Sequence, residues 1–129
     1  MTDILTPISP GELLDKLTIL EIKLDRIADA AKRANVAAEH AALHAVVRDH
    51  IPDRPDVGDL RKQLKTVNET LWKIEDDIRD CERAQDFGPD FIGLARAVYV
   101  TNDKRAALKK ELNLALGSTL VEEKSYADY

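Results

Sequence analysis

From Val57 to Glu82 the chain repeats its apolar residues in alternating steps of three and four: Val57, Leu60, Leu64, Val67, Leu71, Ile74, Ile78 and Cys81. That spacing predicts one helix with a single narrow apolar stripe between charged flanks. Such a stripe belongs to a coiled-coil strand or a bundle member, not to a helix buried all round. Upstream, Pro7 and Pro10 hold Thr6 and Ser9 out of helical geometry. Four signals then place a helix start at Pro10: Ser9 caps it, Pro10 suits its first position, Glu12 closes a capping box and Ile8 staples onto Leu13. Leu13, Leu17, Leu20, Leu24 and Ile27 continue in three-four steps, with Lys16, Lys23 and Arg26 pointing away. Val36, His40, Leu43 and Val47 form another stripe, displaced by roughly 200° at 3.6 residues per turn. One straight helix cannot bury both on the same neighbour, so a break is predicted near Ala28–Asp29, with Asp29 capping a second helix.

Ile51 to Asp59, with Pro52, Pro55 and Gly58, reads as the linker into the seam helix, capped by Asp56 or Asp59. Asp86 to Pro89 is the next connection, with Pro89 or Asp90 opening a last helix that Gly117 ends. Along that helix Phe91, Leu94, Ala95 and Val98 form an apolar face that Leu108, Leu112 and Leu116 resume, while Thr101 to Arg105 between them is polar all round. Residues 118–129 carry no helical period. The expectation is therefore an all-α protein, an antiparallel bundle of helices near 10–27, 30–50, 57–84 and 90–116 with an irregular C-terminal tail.

Length and composition sharpen this picture. At 129 residues the chain is expected to be one domain, and its 33% charged and 5% aromatic residues suit aliphatic helix packing better than a sheet. A formal charge of −5 offers no attraction to phosphate backbones or anionic lipid, so nucleic acid is not an expected partner. The one cysteine, Cys81, excludes an internal disulfide and, from its place on the stripe, is expected to be buried. Neither a signal peptide nor a run of about 18 apolar residues is found. The expected setting is the cytoplasm, without membrane insertion.

Several segments together carry a resemblance. They are Pro7 to Leu13 with Lys16, Glu21 and Lys23; Leu71-Trp72, Ile74 to Asp76 and Arg79; Tyr99, Asn102-Asp103, Arg105-Ala106 and Lys109; and Val121 to Tyr126. The chain resembles an uncharacterised bacterial family of small helical proteins, a domain of unknown function. The resemblance spans nearly the whole chain except about residues 37–56, implies a bacterial protein with a shared set of polar motifs, and transfers no activity.

The candidate site is a polar cluster of Glu75, Arg79 and Glu82 on the seam helix and Asn102, Asp103 and Arg105 on the last helix, joined by Glu21 and Lys23. Glu75 and Arg79 are i,i+4 neighbours beside the stripe, and Arg105 falls seven residues after Val98, on the stripe that Leu112 continues. A charge there must be paired or line a wet cavity. Three readings are open: a structural network fixing the bundle's register, a ligand or catalytic pocket between helices, or a helix boundary capped by Asn102 or Asp103. In the first two, Arg79 and Arg105 serve one cluster and should behave alike. His40 and His44 share a helix face at i,i+4, but two ligands are too few for a metal; Glu39 and His50 could be recruited, yet the pattern is not the HExxH arrangement, and no metal or cofactor is expected. Trp72 is read as covering a core edge or an interface.

The leading function class is a structural or protein-interaction module, expected to be a homodimer. The seam helix would run about 39 Å, beyond the ~28 Å span of a compact chain of this size, and a second copy would cover it. The alternative is a small helical enzyme or binding protein with a polar interhelical pocket for a small anionic metabolite.

Overall fold

Ser9 sits in extended geometry and its hydroxyl accepts from the Glu12 amide at 3.2 Å, so the first helix begins at Pro10, but the Glu12 carboxylate pairs with Lys109 and does not close a capping box on Ser9. The computed structural model describes residues 1–129 and holds four helices: α1 (Pro10–Arg26), α2 (Ala30–His50), α3 (Pro55–Arg83) and α4 (Pro89–Ala115). The protein is an all-α helical bundle without strands. The α1–α2 break falls where the stripe changes phase. Asp29 caps α2 by accepting from the Lys32 amide, and Arg33 returns its guanidinium to the Leu24 carbonyl at 2.7 Å, satisfying an acceptor that the end of α1 leaves open.

Three local expectations are corrected. α3 starts two residues early, because Pro55 takes the first turn; its cap is Arg54, without a side-chain capping bond, and Asp56 instead pairs with Arg54. α4 runs unbroken through Thr101 to Arg105, so neither Asn102 nor Asp103 caps anything. That stretch is polar yet faces different neighbours: Thr101 is buried, Lys104 is exposed and the other three are half-buried. Cys81 is half-buried rather than buried.

Both long helices end alike. Gly117 adopts φ +62° while the Ser118 amide donates to Asn113 O and the Gly117 amide to Leu114 O, the double closure of a left-handed helix end. At the end of α3 the same pair of bonds forms around Gln85, at φ 56°.

α3 and α4 pack side by side as an antiparallel hairpin, and α1 lies across it. The beginning of α1 is tied to α4, with the Gly11 amide on Asn113 Oδ1 at 2.7 Å, and its later part to α3, with Glu21 on Arg61 and Lys65. α2 packs on α1 and not along α3 or α4. The core therefore gathers at one end, the base, from Leu13, Leu14, Leu17, Val47, Val57, Leu64 and Leu112. Beyond Asn68 the core thins, and in this tip Ile74 is the only buried apolar residue. The tail folds back along α4, pairing Glu122 with Lys109 and Lys124 with Asp103, and Tyr129 donates to Asp103 at 2.6 Å.

Candidate functional site

At the upper edge of α1, where its cover of the hairpin ends, Asp15 is completely buried inside the apolar stretch Leu13 to Leu17. A carboxylate there needs compensation on every side. Arg105 reaches over from α4 and lays Nε and Nη2 on its two oxygens, the Nε bond at 2.9 Å, while Asn68 of α3 donates to Asp15 Oδ1 and to Thr18 Oγ1, both at 3.0 Å. Thr18 in turn donates to the Asp15 carbonyl. The carboxylate beside it holds Arg105 further up from its ordinary value, against the effect of its partial burial. No buried side-chain polar atom is left unpaired. The network joins α1, α3 and α4 at one point.

One turn towards the N-terminus, Gly11 lets α1 touch α4. A Cβ at Gly11 would stand 2.4 Å from the Lys109 carbonyl oxygen. Lys109, itself buried, reaches Glu12 at 2.6 Å and Glu122 of the tail at 2.9 Å. Burial works against its charge, but these two carboxylates outweigh it and raise its pKa; the same contact lowers that of Glu122.

Of the eight residues of the candidate cluster, four meet. Glu75, Arg79, Asn102 and Arg105 line one open cleft of about 460 Å³, with Ile19, Leu71 and Trp72 as its apolar wall and Asn68 and Asp76 completing it. The other four stand elsewhere. Glu21 pairs with Arg61 and Lys65 on the base of α3; burial would raise its pKa, and the two cations reverse that and hold it low. Asp103, about 100° around the helix from Asn102, faces the tail and keeps the Tyr129 hydroxyl protonated above its usual range. Lys23 and Glu82 join no ion pair, the first half-buried on α1 and the second exposed on the tip. The two arginines also differ: Arg79 pairs with Glu75 on the surface, whereas Arg105 pairs with Asp15 inside.

Asp15, Asn68 and Thr18 are what the sequence pattern did not deliver. Asn68 was the more legible, since it lies four residues after Leu64 and three before Leu71, a polar residue at a seam position. Asp15 was hidden because it lies on the side of α1 opposite the Leu13, Leu17 and Leu20 stripe, beside Glu12 and Lys16, where a carboxylate reads as solvent-facing. His40 and His44 stack with ring centres 5.7 Å apart, and no group of three or more His, Cys, Asp or Glu comes together as a metal cradle.

The hairpin face turned away from α1 carries a second feature. Between α3 and α4 near the base lies a groove of about 540 Å³, floored by Val67, Ala107 and Leu108 and rimmed by Lys62 and Lys104. Towards the tip, steps of three and four residues along both helices lead on the same face to a groove of about 510 Å³ between Asp77, Asp80 and Asp90. Partial burial together with Asp86, Asp90, Asp80 and Asp77 pushes the Cys81 thiol up, a local sign of this acidic field. No helix is long and apolar enough to cross a membrane. No protein-family model, curated protein or solved structure matches the chain.

Proposed function

We propose that this chain is a structural, protein-interaction module that acts as a homodimer, two copies packing the outward faces of their α3–α4 hairpins antiparallel into a four-helix arrangement. The observation that carries this reading is the charge order on one uncovered face: Lys62 and Lys104 at the base, Asp77, Asp80 and Asp90 towards the tip. Lys62 and Asp77 are fifteen residues apart on α3, about 22 Å at 1.5 Å per residue. A two-fold axis through the middle of the face sets each acidic tip on the partner copy's basic groove, an isologous contact satisfied twice. A parallel pairing would oppose acid to acid. Cys81 and Leu94, half-buried and lining the tip groove, would gain cover from such a partner. In this reading the Asp15 network fixes how α1 crosses the hairpin, and the setting is the cytoplasm of a bacterium.

Light scattering tests it through charge. The parent chain is expected at twice its 14.4 kDa mass at micromolar concentration. Asp77→Lys with Asp80→Lys should shift it to monomer, as should Lys62→Glu with Lys104→Glu, and the four changes together should restore the dimer. The acidic residues make only exposed pairs with Lys73 and Arg83, which contribute little to the fold. A monomeric parent, or four changes that do not restore what two abolish, would sink the proposal.

A further inference from the structure

The cleft on the α1 side of the hairpin holds polar groups that the protein itself leaves unused. Asn68 is 5% exposed, and its two amide protons go to Asp15 and Thr18. A carboxylate only accepts, so the amide cannot be turned round. Its carbonyl oxygen accepts from no protein group, yet no buried side-chain polar atom lacks a partner, so this oxygen opens onto the cleft that Asn68 lines. Arg105 commits Nε and Nη2 to Asp15 and keeps Nη1 without a protein partner, and the Asn102 amide beside it makes no protein hydrogen bond. Arg105 and Asn68 meet on the same oxygen, Asp15 Oδ1, at 2.9 and 3.0 Å, and both line the cleft, so one cleft wall holds a side chain with a free donor beside a side chain with a free acceptor.

Charge narrows the ligand class. Arg105 already faces Asp15 and Arg79 already faces Glu75, while Asp76 joins no ion pair, so the cleft has no surplus of positive charge for a simple anion. A neighbouring donor and acceptor match a group carrying both signs close together. We infer that the cleft binds a free α-amino acid with an apolar side chain. Its carboxylate accepts from Arg105 and Asn102, its ammonium donates to the Asn68 carbonyl with Asp76 at the rim, and its side chain lies against Trp72, Leu71 and Ile19. A volume of about 460 Å³ falls in the range of small-molecule sites. This inference is independent of the homodimer, which uses the opposite face.

Trp72 is the only tryptophan, so its fluorescence reports on the cleft. L-leucine is expected to change it saturably, whereas 4-methylpentanoate, without the ammonium, and 3-methylbutylamine, without the carboxylate, should bind at least about tenfold more weakly. Asn102→Ala should weaken leucine binding by a similar factor while leaving the denaturation midpoint in place, since that amide bonds to nothing in the protein. An NMR titration with the same three compounds should move the Asn68 and Arg105 side-chain signals for leucine above all. No saturable response to leucine up to about 10 mM, an equal response to either control, unmoved Asn68 and Arg105 signals, or an Asn102→Ala variant that binds like the parent would each overturn the inference.

Discussion

The base and the tip of the α3–α4 hairpin are built from the same kind of sequence, and they differ in what covers them. At the base α1 crosses the pair, and an arginine beside the apolar stripe becomes part of the interior: Arg105 is 29% exposed at its side chain, over an Asp15 that is 1% exposed. At the tip the cover is open, and Arg79 stays 67% exposed on a partner that is 49% exposed. Position relative to the stripe made the two arginines look equivalent. Only at the base has the solvent that would screen the charges been removed, and with it the option of leaving either one unpaired.

The largest expected effect follows from that contrast. Arg105→Met leaves the Asp15 carboxylate buried with Asn68 as its one remaining side-chain donor, and chemical denaturation should show a loss of roughly 3–5 kcal/mol. Next is Gly11→Ala. Its added methyl runs into a backbone carbonyl that cannot swing aside, so α1 must lift from α4, at about 1–3 kcal/mol. Acid should also unlock the base. Glu21 has a folded-state pKa below the ordinary 4.5, so its ionised form contributes stability that is fully present above that value and is lost as pH falls through the lower, folded one. Glu21→Gln should be less stable than the parent at neutral pH and flatten the fall below about pH 4.5 in a stability profile. Smaller, and of opposite sign, is Gln85→Gly: a left-handed helix end suits glycine, so this exposed change should stabilise the chain by about 1 kcal/mol. Smallest of all, Arg79→Met should move the midpoint by under about 0.5 kcal/mol. Equal losses for Arg79→Met and Arg105→Met would erase the distinction between base and tip.

The helices were legible because their signals are local. Ser9, Pro10 and Glu12 define one boundary within four residues, the phase slip between Ile27 and Val36 demands the second, and the three-four stripe of α3 carries its own length. The site was half legible. Stripe positions located Arg105 and set Glu75 and Arg79 beside the α3 stripe, whereas Asn102 stood out only as part of the polar run Thr101 to Arg105. What periodicity cannot supply is the angle at which α1 crosses the hairpin, and that angle selects Asp15 as the partner of Arg105 and sends Glu21 to Arg61 and Lys65. It also depends on Gly11, whose missing side chain reads in the sequence as nothing more than an early helix residue.

Native-state hydrogen exchange along α3, followed as a function of protein concentration, tests the contrast between a locked base and a tip that the proposed second copy would cover. Amides from Leu64 to Asn68 should exchange only through global opening, with the highest protection in the helix. Those from Ile78 to Glu82 should exchange readily in dilute solution and gain protection as concentration rises into the micromolar range and the partner copy covers them. Uniform protection along α3 that does not respond to concentration would contradict the account.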